Sequence, residues 1–457
     1  MSDPQETEVT PERLADLMAA GEVQALAEAV VELDLHASDV ADLLEELDAE
    51  AQVELVRALP AEVASEALAE MEEGEERAEL LAALDPLKGA ELLHELADDD
   101  AADLIAELEP QEANRILANL PVQEAGDLRG LLRYGEETAG GIMTTELVAV
   151  EAGLSAGEAI TEIRRQGQEV EEFYTVFVVD RERRLLGTVS LAEVVVAEPA
   201  VPVAELVEEA LVTVLPDTDQ EEVGRLMARY NLVSAPVVDG AGRLLGRITF
   251  DDIIDVMEAE QTEDILRLAG VSDEEEVRAD WHDAVRTRLP WLAVNLVTAF
   301  MAASVVGLFD ETLQRFWFLA MVMPIIAGMG GNSGTQALAV TVRRIALASS
   351  DLERRFDAVS KELLIGLVNG LVLGVIAAAA AWLAAWGNPD IPSQLPVVIL
   401  VALWGNILLA GFAGAFIPTL LNRLGVDPAV ASSVFLTTAT DLVGFALLLG
   451  TASLLML

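Results

Sequence analysis

The chain has no cysteine, two lysines and three histidines in 457 residues, and only 5% of it is aromatic. The missing cysteines exclude a disulfide-stapled secreted fold and thiolate metal ligation. His36, His94 and His282 lie too far apart to form a local ligand set. Basic residues number 27 against 79 acidic ones, a formal net charge of −52. So little positive charge cannot neutralise phosphate, which excludes a nucleic-acid binder. No nucleophile–base pair and no phosphate-cradling loop stands out, so the chain reads as a non-enzyme. The opening MSDPQETEVTPERL is acidic and has no apolar run. It reads as no signal peptide, and the N-terminal part is expected in the cytosol.

Yet 53% of the chain is hydrophobic. High charge and high apolar content coexist when they are segregated. Residues 290–457 hold nine acids and seven bases, leaving 70 and 20 in residues 1–289, so −2 stands against −50. An acidic soluble region is therefore expected before a membrane domain. Its richness in Leu, Val and Ala argues against disorder.

Residues 1–133 are expected to form an all-α helical superhelix. From about residue 20 a unit near 12 residues long recurs, as in DPLKGAELLHELA and PQEANRILANLP. Each unit opens on Asp, Glu or Pro, which favour a helix start, and then spaces apolar residues by three and four. Such short helices bury their stripes only by stacking.

Residues 134–260 are expected to hold the next domain, and from residue 143 the texture turns to β-branched runs. YTVFVVDRERRLLGTVSLAEVV (174–195) realigns on VSAPVVDGAGRLLGRITFDDII (233–254) at an offset of 59. Each copy predicts strand, turn, strand, helix. The pair resembles tandem cystathionine-β-synthase (CBS) domains, an α/β regulatory module. That resemblance implies ATP as an effector, at Thr249 and Asp252 of the second copy and at Ser190 and Glu193 of the first. Ser190 and Thr249 as plain helix caps is the competing reading. Acids crowd the second copy at Asp219 and Glu221, then at Asp252, Asp255, Glu260, Glu263 and Asp264. Oxygen-rich clusters suit hard divalent cations; a solvated helix face is the alternative.

Five apolar stretches follow, at 291–309, 316–348, 363–386, 395–421 and 429–457. Each is long enough to cross a bilayer. Arg343, Arg344, Lys361 and Arg423 flank them on one side, which predicts a cytoplasmic N-terminus and an extracytoplasmic C-terminus. Pro324 and four glycines in MVMPIIAGMGGNSGTQALAV predict a broken second span. Helix packing is the other use of such glycines. Asp441 falls about 18 Å into the last span at 1.5 Å per residue, near the bilayer centre. An ion pathway is the default reading of such an acid. A protonated Asp441 bonded to Thr437, Thr438 or Thr440 is its competitor.

The marks YGEETAGGIMT (134–144), GMGGNSGTQ (328–336) and GVDPAVASSVFLTTATDLVG (425–444), in this domain order, resemble the MgtE-type magnesium channels over nearly the whole chain. The resemblance implies a homodimer in the plasma membrane with its pore on the two-fold axis. It also implies a connecting helix at 261–289 ahead of a five-helix transmembrane bundle at 290–457. Asp441 would hold hydrated Mg²⁺ in the pore, beside Asn332 and Thr437. Cytosolic Mg²⁺ bound by Asp219, Glu221, Asp252, Asp255, Glu260, Glu263 and Asp264, with Asp98 opposite, would close the gate. A secondary transporter of Co²⁺ or Mn²⁺ coupled to Na⁺ or H⁺ is the competing class.

Overall fold

The computed structural model describes residues 11–457 except 73, 169, 171–172, 209, 211, 272–280, 347–351, 387–390, 425 and 429–431. The chain forms two compact units, Met1–Met257 and Glu258–Leu457.

Ten short helices open the first unit: α1 Pro11–Ala20, α2 Val23–Leu33, α3 Ala37–Glu45, α4 Ala49–Ala58, α5 Ala61–Ala69, α6 Glu75–Ala83, α7 Pro86–His94, α8 Asp98–Ala106, α9 Pro110–Leu117 and α10 Glu124–Leu131. Their starts follow the repeat in the sequence. Asp48 and Asp85 cap α4 and α7 by accepting from the Ala51 and Leu87 amides, and Pro86 and Pro110 open α7 and α9. Helices two apart pack on one another, α3 on α5, α5 on α7 and α7 on α9. This stepping makes a continuous core from Leu26 through Leu92 to Leu128, which extends into the second α/β copy at Val223, Ala235 and Ile248. Arg77, 3% exposed, pairs with Glu107 and donates to the carbonyls of Ala69 and Met71 at 3.1 and 3.2 Å. A buried base is tolerable because its donors are matched in this way.

The first α/β copy contains β1 Ala149–Glu151, α11 Ala156–Gln166, β2 Thr175–Val179, β3 Leu185–Ser190 and α12 Leu191–Val196. β1 pairs parallel to β2, and β2 antiparallel to β3. The second contains α13 Gln220–Tyr230, β4 Ser234–Val238, β5 Leu244–Thr249 and α14 Phe250–Ala269. β4 and β5 repeat the β2–β3 register, with Val178 opposite Gly187 and Val237 opposite Gly246. The hairpin tips also correspond: Arg183 and Gly242 both sit in the left-handed region, at φ 61° and 78°. Each tip bonds the other copy, Leu185 N to Gly242 O and Leu244 N to Arg183 O, both at 3.0 Å. The copies therefore clasp about a local pseudo-two-fold, over a core of Phe177, Val179, Val238 and Leu244. The 134–144 segment binds along the second copy. Gly140 N donates to Pro216 O, and Thr144 and Arg247 exchange backbone bonds, at 2.9 Å throughout.

Helix α14 runs unbroken from Phe250 to Ala269, so the domain limit expected at residue 260 falls inside a helix. The connecting helix expected at 261–289 is not one described element. Residues 272–280 lie outside the described residues, and Trp281 onward belongs to α15, Trp281–Gly307. Then come α16 Asp310–Arg315, α17 Leu319–Ala346, α18 Leu352–Ala385, α19 Leu395–Arg423 and α20 Ser432–Met456. Among the described residues, four helices are long and apolar enough to span a membrane: parts of α15 and α18, α19, and most of α20. Helix α17 has the length, 28 residues, but its centre is diluted by the polar, glycine-rich Gly328–Gln336.

The expected break in α17 does not occur; the helix passes continuously through Pro324 and the glycines. Its glycines serve close packing instead. A Cβ at Gly334 would stand 2.7 Å from Leu436 of α20. On the other side of α19, Gly366 and Gly370 of α18 touch the backbone of Ile407 and Trp404. Small residues spaced by four let membrane helices approach to backbone contact.

In the first unit, a Cβ at Gly187 would collide with the Glu208 carbonyl, whereas one at Gly240 meets nothing within 4 Å. Gly187→Ala should lower stability by about 1–3 kcal/mol, as overpacking against immovable backbone does. Gly240→Ala should leave the melting temperature of the protein unchanged, and parallel thermal melts check the contrast.

Candidate functional site

Two sets of acids and one membrane-buried polar line come out of this fold. The first set lies in the first unit, where the start of α8 faces the start of α14. Asp99 is 7% exposed, and its Oδ1 has no hydrogen-bond partner. Burial pushes its carboxyl well above the usual range, and the negative charges of Asp252 and Asp100 push it further. Asp252 is raised by its own burial and by Asp251 and Asp255, against the lowering effect of the Thr249 hydroxyl, which donates to it. Arg247, buried next to these acids, donates through Nε to the Glu146 carbonyl at 2.8 Å. Burial lowers its pKa, although Asp99, Asp251 and Asp252 favour its charge.

The sequence pointed to Asp98 on this side. In the structure Asp98 accepts from the Thr145 hydroxyl, and the residue beside Asp252 is Asp99. Successive helical residues point about 100° apart, so only one of Asp98, Asp99 and Asp100 can face inward. Asp99 precedes the buried Ala102 and Ile105 by three and six, and that spacing was the available signal.

The second set lies in the second unit. Arg267 of α14 pairs with Glu263, one turn before it, and with Asp427 in the α19–α20 connection. Burial raises the Asp264 carboxyl, and Asp427 and Glu260 add to the rise. Leu268 packs against a cluster of Leu338, Val342, Ala413 and Leu436, which fixes this end of α14 on α17, α19 and α20. Asp427 was not among the expected site residues; its isolation in a nearly uncharged stretch was its signal.

Asp219 and Glu221 join neither set. Asp219 caps α13 by accepting from the Glu221 and Glu222 amides at 3.0 and 3.3 Å, and Glu221 pairs with Arg225. The nucleotide candidates are also partly committed. Ser190 and Glu193 close a capping box on α12, Ser190 N donating to Glu193 and Glu193 N to Ser190 Oγ at 3.2 Å each. At α14 the Thr249 amide, at 3.2 Å, and the Thr249 hydroxyl both donate to Asp252 Oδ2.

In the membrane helices Asp441 is half-buried, and Thr437, one turn before it, is exposed. The three threonine hydroxyls are all spent on their own helix. Thr437 donates to Ser433 O at 2.9 Å, Thr438 to Val434 O at 2.7 Å and Thr440 to Thr437 O at 3.0 Å. None of the three hydroxyls donates to the Asp441 carboxylate. With their protons so engaged, Thr437 and Thr438 offer only lone pairs to whatever passes. Asn332 on α17 is exposed and lies two residues past Gly330, so it stands on the far side of α17 from the α19 contact. Among the described residues, no three His, Asp or Glu side chains converge into a ready-made metal cage. These acids can recruit an ion that keeps its water shell, which Mg²⁺ does.

The Asp99 arrangement has a pH signature. Its folded pKa lies above the ordinary carboxylate value of 3.8, so the folded state holds the proton more tightly than the unfolded one. The contribution of Asp99 to stability should therefore be fully present below about pH 4 and be lost as pH rises from there through the folded pKa. In metal-free buffer Asp99→Asn should flatten that fall and raise the melting temperature at pH 7. Melts from pH 4 to pH 8 with and without the substitution check this.

Comparison with known proteins agrees with the architecture. A family described as a divalent cation transporter matches residues 323–451, the MgtE intracellular N domain matches 35–137, and the CBS domain matches 139–199 and 203–259. The magnesium transporter MgtE of Thermus thermophilus is 37% identical over 332 residues, 72% of each chain. That of Enterococcus faecalis is 36% identical over 331 residues, again 72% of each. The crystal structure of the cytosolic domain of the Mg²⁺ channel MgtE in complex with ATP is 39% identical, with a TM-score of 0.50, and covers 53% of this chain and 98% of that one. With a helical N-terminal domain, a CBS pair and apolar spanning helices in the same order, the chain belongs to the MgtE family of magnesium transporters.

Proposed function

We propose that the protein is a Mg²⁺ channel of the plasma membrane that imports magnesium and closes when cytosolic Mg²⁺ is plentiful. The observation that carries this reading is Asp441, a half-buried acid on a spanning helix whose neighbouring threonines all donate elsewhere. An ionised acid at the bilayer centre costs about 3 kcal/mol or more unless water or a cation reaches it. Hydrated Mg²⁺ supplies both, since its waters donate to Asp441, to Thr437 and to the amide oxygen of Asn332. Thr437 and Asn332 are exposed and Asp441 half-buried in one chain, and a homodimer with its pore on the two-fold axis would give the pathway its second wall. The positive-inside rule applied to Arg343, Arg344 and Arg423 favours a cytoplasmic N-terminus and an extracytoplasmic C-terminus. The named relatives transport magnesium, in keeping with this cargo.

Closure follows from the acid sets. A net −50 on each soluble part favours separation of charged surfaces when divalent ions are scarce. Mg²⁺ between Asp99, Asp252 and Asp255, and at Glu260, Asp264 and Asp427, would relieve that repulsion. It shifts the gate only by binding the packed state more tightly. ATP, bound by the cytosolic domain of the related channel, would act here at the CBS pair, with Thr249 and Asp252 of the second copy and Ser190 and Glu193 of the first as its candidate contacts.

Asp441→Ala should abolish Mg²⁺ uptake into proteoliposomes while the protein still assembles; normal uptake would sink the pore assignment. Replacing Asp99 and Asp252 together by asparagine should leave patch-clamp currents flowing at millimolar cytosolic-side Mg²⁺ that silence the parent. Currents that still shut with parental sensitivity would count against the sensor.

A further inference from the structure

Asn406 lies in the middle of α19, 0% exposed, where α17, α19 and α20 meet. Its Nδ2 donates to the Ile326 carbonyl of α17 at 2.9 Å, while its Oδ1 has no hydrogen-bond partner. The slot around the amide is made by two glycines. A Cβ at Gly330 of α17 would land on Nδ2, and one at Gly444 of α20 would stand 2.7 Å from it. Thr440, fully buried, closes the same slot from α20. Gly330 lies two residues before Asn332, and Thr440 directly precedes Asp441.

Packing alone does not account for this residue. Leucine has nearly the same shape and would fill the slot without an unmade acceptor, which costs stability when buried. An unsatisfied buried polar atom in a slot of two bare glycines calls for a reason other than packing. We propose that Asn406 is the positioning residue of the cation pathway. Its bond to Ile326 sets the rotation and depth of α17 against α19, and its amide seats Gly444 and Thr440 of α20. The turn that carries Asn332 and the turn that carries Asp441 are thereby held in one register. Asn406 does not touch the cation; it fixes where the oxygens that do are placed.

This inference rests on the reading of Asp441 as the pathway acid, and its test keeps the two apart. The full-length protein is reconstituted in liposomes as the parent, Asn406→Leu, Gly444→Ala and Asp441→Ala. Mg²⁺ and Ca²⁺ uptake and thermal melting are measured for each. Asn406→Leu should assemble and melt no lower than the parent, yet take up Mg²⁺ about tenfold more slowly and prefer it less over Ca²⁺, the size of effect that residues remote from a ligand exert through positioning. Gly444→Ala, which displaces the amide without removing it, should weaken the preference in the same direction. Parental uptake and preference in Asn406→Leu, or a lower melting temperature with parental flux, overturns the proposal. If the leucine variant does not assemble, Gly444→Ala decides on the same readouts: a weakened preference supports the proposal and an unchanged one overturns it. Normal transport by Asp441→Ala would defeat the pathway reading itself. A silent Asp441→Ala beside a normal Asn406→Leu would defeat this inference alone.

Discussion

A carboxylate taken out of bulk water must be given a cation, a proton or a hydrogen-bond donor, and this chain has 27 bases for 79 acids. Much of the structure answers that shortage. Arg77 and Arg267, two of the few bases, are each placed where a carboxylate leaves water. Elsewhere backbone amides substitute for missing bases, as at Asp48, Asp85 and Asp219, where helix starts supply the donors. Asp180 and Asp239 do the same in the paired hairpin turns, each accepting from two amides as well as facing an arginine. Among the described residues, Asp99 keeps an unpartnered Oδ1, and burial pushes the carboxyls of Asp99, Asp252 and Asp264 above their usual range. These are acids to which a divalent ion would bring much.

The fold was legible wherever the physical signal is local. Helix starts at Asp48, Asp85 and Pro110 follow from capping chemistry, and the α/β pair follows from a repeat that keeps Asp180 over Asp239 and Gly187 over Gly246. The break expected at Pro324 failed because the sequence cannot tell a glycine that frees the backbone from one that admits a neighbour. Gly330 and Gly334 are the second kind, and only the partners Asn406 and Leu436 reveal it. Among the acids, spacing singled out Asp252 and Asp441 as candidates, but Asp98 was named where the structure sets Asp99 beside Asp252, because three adjacent aspartates differ only in which way the helix turns them. Asn406 carried no signal at all: a single amide in an apolar helix reads as tolerated polarity until its surroundings are known.

The two halves of the repeat also show how one backbone accommodates different residues. Arg183 takes the left-handed position that Gly242 fills in the other copy. An arginine there is strained, and glycine is not. Arg183 is held because its carbonyl receives Leu244 from the opposite hairpin, just as Gly242 receives Leu185. The mutual bonds make each tip part of the other copy's structure.

The three threonines before and beside Asp441 have a consequence for how long an ion would stay. Because each hydroxyl is anchored to its own helix, this stretch of wall is electron-rich but uncharged except at one depth. If this is the pathway, a passing divalent ion would meet one carboxylate per chain, with only weak acceptors before it. Several carboxylates stacked in line would bind such an ion too firmly to release it, since conduction needs a site that is easy to leave as well as to enter. A single carboxylate set among neutral oxygens would keep the dwell time short while still turning anions away.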